Sequence, residues 1–226
     1  SETFGLLSRN AVPVLVFIAV LGGLNSLGLF LGYISEGDTL AGIGFGFSVD
    51  PADGLAAGLF QLAVGVLSIV ASYFLLARLL EGEGRLPVRD TRIWAYVGVM
   101  ILSTLGMILG FMLLFVPGII LLVRWSATSG FLIERRLGLI ESMSASWDAT
   151  RGSSWPIFFV GLVLFIGLAV VGMVTGGMGM AIDSPMVTAV LSSFAEVAGN
   201  AVFLAFGTAV YLVVEDNSDA ISDVFE

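Results

Sequence analysis

Apolar residues run along this chain in six long blocks separated by short polar connections, and each block approaches the length that a bilayer demands of a helix. A hydrocarbon core of about 30 Å takes roughly 20 helical residues to cross. Backbone inside it must satisfy its own hydrogen bonds, which selects helices over open strands. The blocks predict spans over about residues 11–33, 54–80, 93–115, 119–133, 155–174 and 186–214. The fold class expected is therefore all-α, a polytopic bundle of six transmembrane helices forming one domain over residues 1–226. A seventh segment has a different pattern. Between the fourth and fifth spans, Leu137, Ile140, Met143 and Trp147 recur at helical spacing, while Glu141, Ser142, Asp148 and Arg151 fall elsewhere on the wheel. That spacing predicts an amphipathic helix over about residues 137–151, lying on the cytoplasmic face of the membrane.

The connections are as informative as the spans. A Gly- and Asp-rich loop carrying Glu36, Asp38, Asp50 and Asp53 joins the first two. Its carboxylates can offer oxygen ligands to a hard cation but lack the spacing of a calcium loop, so we read it as a solvated acidic loop with Phe45 and Phe47 against the bilayer interface. Val116-Pro117-Gly118 marks a turn before the fourth span, and Gly176, Gly177, Asp183 and Pro185 mark the one before the sixth.

Charge gives these spans a direction. Lysine is absent, and Arg9, then Arg78, Arg85, Arg89 and Arg92, then Arg135, Arg136 and Arg151 all lie at one set of span ends, with none in the three opposite connections. By the positive-inside rule that side is cytoplasmic, which puts both termini inside a prokaryotic plasma membrane. The start Ser1-Glu2-Thr3-Phe4 has no basic n-region, so the first block is expected to be a retained span and not a signal peptide. The same side places Arg85, Arg89, Arg92, Arg135 and Arg136 where they can contact lipid head groups.

Composition narrows the function further. With 58% hydrophobic and 12% charged residues and a mean hydropathy of +1.04, most of the chain has lipid as its solvent. Acidic residues outnumber basic ones 18 to 9, so the solvated parts repel nucleic acid and no such partner is expected. Arginine without lysine and a pI near 4.3 fit a GC-rich halophile, and equally a bacterial inner-membrane protein with acidic tails. Cysteine and histidine are both absent, which removes thiolate nucleophiles, imidazole bases and the usual ligands of zinc, haem and iron–sulfur clusters. Neither a P-loop, a Gly-x-Ser-x-Gly elbow nor a His-Glu-x-x-His motif occurs. We therefore expect no catalytic activity, cofactor or resident metal.

Polar residues inside the spans are the remaining candidates, because an ionised group at mid-bilayer costs at least ~2.5–3.5 kcal/mol unless paired or hydrated. Arg124 on the fourth span and Glu196 on the sixth lie, at 1.5 Å per residue, about 10 and 16 Å from the outer boundary. Asn25, Gln61 and Asn200 fall in the same outer-to-middle part of their spans, and Glu196 and Asn200 share a helix face. Two readings stay open for these five residues. In one, Arg124 and Glu196 form an ion pair that fixes helix register, with the amides as interhelical hydrogen bonds. In the other they line a solute or ion site in a hydrated cavity. Small-xxx-small pairs at Gly28/Gly32, Gly54/Gly58, Gly106/Gly110, Gly172/Gly176 and Ala195/Gly199 predict close helix packing.

One stretch carries a resemblance. Val116-Pro117-Gly118-Ile119-Ile120, then Glu134-Arg135-Arg136 with Gly138, then Ser142 to the closing run Ser146-Trp147-Asp148-Ala149-Thr150-Arg151-Gly152, resemble the Pro-Gly-Ile turn and Ser-x-x-x-Thr-x-Gly segment of a multi-pass family. That family is named after the membrane domain of glycerophosphoryl diester phosphodiesterases, and related uncharacterised archaeal membrane proteins look similar. The likeness covers residues 116–156, and beyond them only the span count. It implies a six-helix membrane fold and transfers no activity, because nothing here answers to a phosphodiesterase catalytic domain. The function expected is a non-catalytic scaffold, assembly factor or accessory subunit, with membrane lipids and a membrane protein as partners. The alternative is a small-solute or ion transporter or channel built around Arg124 and Glu196.

Overall fold

The computed structural model describes residues 2–34, 54–85, 92–113, 115–182 and 184–225. Among them the chain is all-helical, and six helices are long and apolar enough to cross a membrane. In chain order the helices are α1 (Glu2–Arg9), α2 (Ala11–Phe30), α3 (Gly54–Gly82), α4 (Ile93–Leu113), α5 (Phe115–Arg124), α6 (Thr128–Ile133), α7 (Leu139–Ala149), α8 (Ser154–Ile182) and α9 (Pro185–Phe225). The acidic loop with Glu36, Asp38, Asp50, Asp53, Phe45 and Phe47 lies outside the described residues, as do Arg89 and Asp183.

Five of the expected spans are single helices, and the fourth is two. Its window, Val116–Ile133, is the least hydropathic of the six. Helix α5 stops at Arg124, residues 125–127 turn, and α6 resumes at Thr128. The Pro117-Gly118 pair expected to make the preceding turn sits instead within the first turn of α5. Proline is tolerated there because the first N–H groups of a helix have no intrahelical partner. Gly118 is needed for packing: a β-carbon on it would meet the Phe111 ring at 2.6 Å, and one on Gly110 would meet the Gly118 Cα at 3.1 Å. The glycines let α4 and α5 pack backbone to backbone as a tight hairpin. Helix α1 is an addition that hydropathy did not reveal, since only Thr3 and Leu6 of its eight residues are buried.

The chain divides into two compact units. The first comprises Ser1–Asn10, Leu76–Val163 and Leu204–Glu226; the second comprises Ala11–Leu75 and Leu164–Phe203. In the first, α6 packs on α7, and both pack on α4. Its core includes Leu6, Leu79, Leu80, Tyr96, Leu132 and Tyr211. In the second, α2 meets α9 where Gly22 faces the Phe194 ring, and meets α3 where Gly28 faces Phe60. Tyr33 and Phe60 add a tilted ring contact at 5.6 Å.

Burial distinguishes two kinds of span. Only 6% of the most apolar window of α8 is buried inside the protein, against 50% for α9. The exposed side chains of α8, among them Phe159, Val163, Ile166 and Met173, have the composition of a lipid-facing surface. Helix α9 alternates small and large residues in its buried part, with Ala201, Ala205 and Ala209 beside Phe206 and Tyr211, a pattern that lets neighbours approach closely.

Candidate functional site

Two polar constellations stand out, one at the break in the fourth span and one at the arginine-bearing end of the first unit. At the break, α5 ends with carbonyls that have no helical partner. The Ser146 hydroxyl on α7 donates to the Arg124 carbonyl at 2.7 Å. The Arg124 guanidinium returns across the same junction, donating through Nη1 to the Trp147 carbonyl at 3.1 Å and lying 5.3 Å from the centre of the Trp147 ring. The contact combines a charge-assisted hydrogen bond with a cation–π interaction. Arg124 is thus held by a carbonyl and an aromatic face of its own unit.

The buried face of α7 differs from the one its apolar spacing predicts. Ile140 is 66% exposed, and the face that packs inward is Ser142, Met143, Ser146 and Thr150. Three small hydroxyl residues at four-residue intervals let the helix approach α5 and α6 closely, and each satisfies its own hydrogen bond. Ser142 donates to the Leu139 carbonyl at 2.8 Å, Ser146 to Arg124, and Thr150 to the Ser146 carbonyl at 2.8 Å. Satisfying a broken helix here outweighs the burial of one isoleucine. At the start of α7 the Glu141 carboxylate accepts the Gly138 N–H at 2.9 Å. Past its end Gly152 adopts φ +88, a left-handed conformation that favours glycine. The Ser-x-x-x-Thr-x-Gly segment therefore has a structural task at each of its three named positions.

The second constellation ties three stretches of the first unit together. Arg85, just past α3, lies 3.8 Å from Glu134 and 3.7 Å from Glu215 through the same nitrogen, and its other terminal nitrogen engages Asp216. Arg135 donates to Glu215 at 2.6 Å. Glu215 is only 5% exposed and Glu134 14%, whereas Asp216 and Arg135 reach solvent. Burial works against the Arg85 charge, but Glu134, Asp216 and Glu215 outweigh it and raise the guanidinium above its ordinary value. Arg135 is raised chiefly by its hydrogen bond to Glu215. Glu134 is pushed up by burial first; the Tyr211 hydroxyl draws it down, Glu215 raises it, Arg85 and Arg135 lower it, and the balance is upward. The Tyr211 hydroxyl acts on Glu134 from outside ideal hydrogen-bond geometry: that hydroxyl, Glu134 Oε2 and Glu215 Oε2 are all buried without a hydrogen-bonding partner.

Tyr211 is seated by shape. Its ring stacks edge-on with Phe131 at 4.9 Å, and any β-carbon on Gly130 would collide with it. One turn earlier on α9, a β-carbon on Gly207 would meet the carbonyl of Ser126, in the turn between α5 and α6, at 2.8 Å. Helix α9 thus runs along the broken span at backbone distance.

The five intramembrane polar residues named from the sequence belong to different units. Arg124 belongs to the first unit, and Asn25, Gln61, Glu196 and Asn200 to the second. The Gln61 amide donates to the Tyr33 carbonyl at 2.6 Å, which leaves its Oε1 buried without a partner. Glu196 Oε2 is buried without a hydrogen bond, Asn25 is half-buried, and Asn200 is exposed on its helix. Of the five arginines expected to meet lipid, Arg85 and Arg135 are engaged by carboxylates and Arg92 donates to the Leu137 carbonyl at 3.0 Å; Arg136 is exposed at φ 55. Sequence reasoning missed Glu134, Glu215, Asp216 and Tyr211 as a group, because charges that follow different spans carry no local sign of convergence. No family model, no curated protein and no solved structure matches this chain.

Proposed function

We propose that this chain is a non-catalytic multi-pass membrane protein that serves as a scaffold, assembly factor or accessory subunit of a membrane complex. The observation that carries this reading is the use of its charges: in the first unit Arg85, Arg124 and Arg135 spend their hydrogen bonds on joining helices to one another. Such a unit is a framework suited to presenting helices to a neighbour. The arginine-bearing ends are cytoplasmic in this reading, in a prokaryotic plasma membrane. The likeness of residues 116–156 to the phosphodiesterase membrane-domain family accords with a membrane module separable from catalysis. Purification from the native membrane in mild detergent, followed by native mass spectrometry, tests it. A stoichiometric second protein supports the reading, and a bare monomer or homodimer counts against it.

A second reading, transport of a small solute or ion, is favoured by one observation in the second unit: Glu196 and Gln61 each keep a buried oxygen without a partner inside a candidate span. Such groups in hydrocarbon are costly unless water or a ligand meets them. Arg124 belongs to the first unit, where it donates to the Trp147 carbonyl. Flux of cations into proteoliposomes, lost in Glu196→Gln, would carry this reading over the first.

A further inference from the structure

Among the described residues, the junction at Arg85 brings three carboxylates, Glu134, Glu215 and Asp216, to two guanidiniums, Arg85 and Arg135, and the Tyr211 hydroxyl also acts on Glu134. Glu134 and Glu215 both lie within 4 Å of a single Arg85 nitrogen, at 3.8 and 3.7 Å, so one cation is shared between two largely buried carboxylates. Each keeps one buried oxygen without a hydrogen bond. A buried carboxylate with an unsatisfied oxygen beside a second carboxylate is costly, whereas its neutral acid removes the repulsion and gains a donor.

We propose that Glu134, Glu215 and Asp216 converging on Arg85 form a proton-controlled latch, which holds α9 to the α6–α7 connection when Glu134 is neutral and loosens when it ionises. The two guanidiniums keep their charge throughout, and Glu134 is the member that burial pushes toward its neutral form. The direction follows from linkage. A carboxyl whose folded value lies above its unfolded one holds more protons in the folded state, so the folded latch weakens as pH rises from the ordinary glutamate value of 4.5 to the raised one. Loosening frees α9 at Tyr211, which is otherwise wedged against Gly130 and Phe131.

The chain has no cysteine, so one introduced as Val214→Cys, a buried position next to Glu215 in the chain, is its sole thiol and reports on the exposure of α9 there. Maleimide labelling of this protein in detergent is followed from about pH 5 to about pH 8.5, with and without Glu134→Gln, and the backgrounds are compared at equal pH so that thiol ionisation cancels. Labelling in the wild-type background is expected to outpace that with Glu134→Gln increasingly as pH rises, by up to about tenfold per pH unit within the window. The thermal midpoint of Glu134→Gln without the cysteine is expected to match or exceed that of wild type at about pH 8 and to depend less on pH. Equal labelling ratios at every pH, a midpoint below wild type, or failure of Glu134→Gln to accumulate would overturn the latch. Should Val214→Cys itself lower the yield, the midpoints decide the question in the same sense.

Discussion

Single side chains at the break between α5 and α6 are tied to the backbone they satisfy. Ser146 supplies the hydrogen bond that the Arg124 carbonyl cannot find within its helix. Ser146→Ala leaves that carbonyl unpaired, and we expect a loss of about 1–3 kcal/mol, read as a lower thermal midpoint in detergent. Arg124→Lys keeps the charge but loses the planar guanidinium that addresses the Trp147 carbonyl and ring together. It should destabilise nearly as much as Arg124→Leu, whereas an interaction that relied on charge alone would be rescued by lysine.

Helix against helix, the glycines fall into two classes. Gly130 faces the Tyr211 ring, while β-carbons on Gly172 and Gly176 meet nothing within 4 Å. Gly130→Ala is expected to cost about 1–3 kcal/mol through overpacking. Gly172→Ala is expected to be neutral or to gain up to about 1 kcal/mol from helix propensity, and unfolding midpoints of the two variants separate the classes. The sequence shows both as glycine in an apolar run, because which neighbour fills the space is settled by helices distant in the chain. The same limit explains the rest of the comparison. Span number and the existence of α7 were legible, since hydropathy and 3.6-residue spacing are local. The buried face of α7 was not, because Ser142, Ser146 and Thr150 are turned inward by the needs of the broken span, and α1 was not, because it buries too few apolar residues to leave a pattern. Of the candidate site, the polar residues were visible one by one, but the partners of Arg124 at Trp147 and of Gln61 at Tyr33 depend on contacts that no spacing records.

At the scale of the whole molecule, the first unit uses its charges to hold itself together and the second keeps polar oxygens in reserve. If the scaffold reading holds, Glu196→Gln leaves the yield of the complex unchanged in native mass spectrometry; if the transport reading holds, it abolishes flux while the protein accumulates normally. The break in the fourth span has a further consequence in time. Arg124 precedes Trp147 by 23 residues, and its other partner, Ser146, by 22. A ribosome adding about 5–20 residues per second takes on the order of a few seconds to make that stretch. During that interval the hairpin of α4 and α5 stands in or near the membrane with an arginine and a carbonyl still unmatched. The partners of this span's polar end are thus made after it, and the order of synthesis becomes part of how the fold is secured.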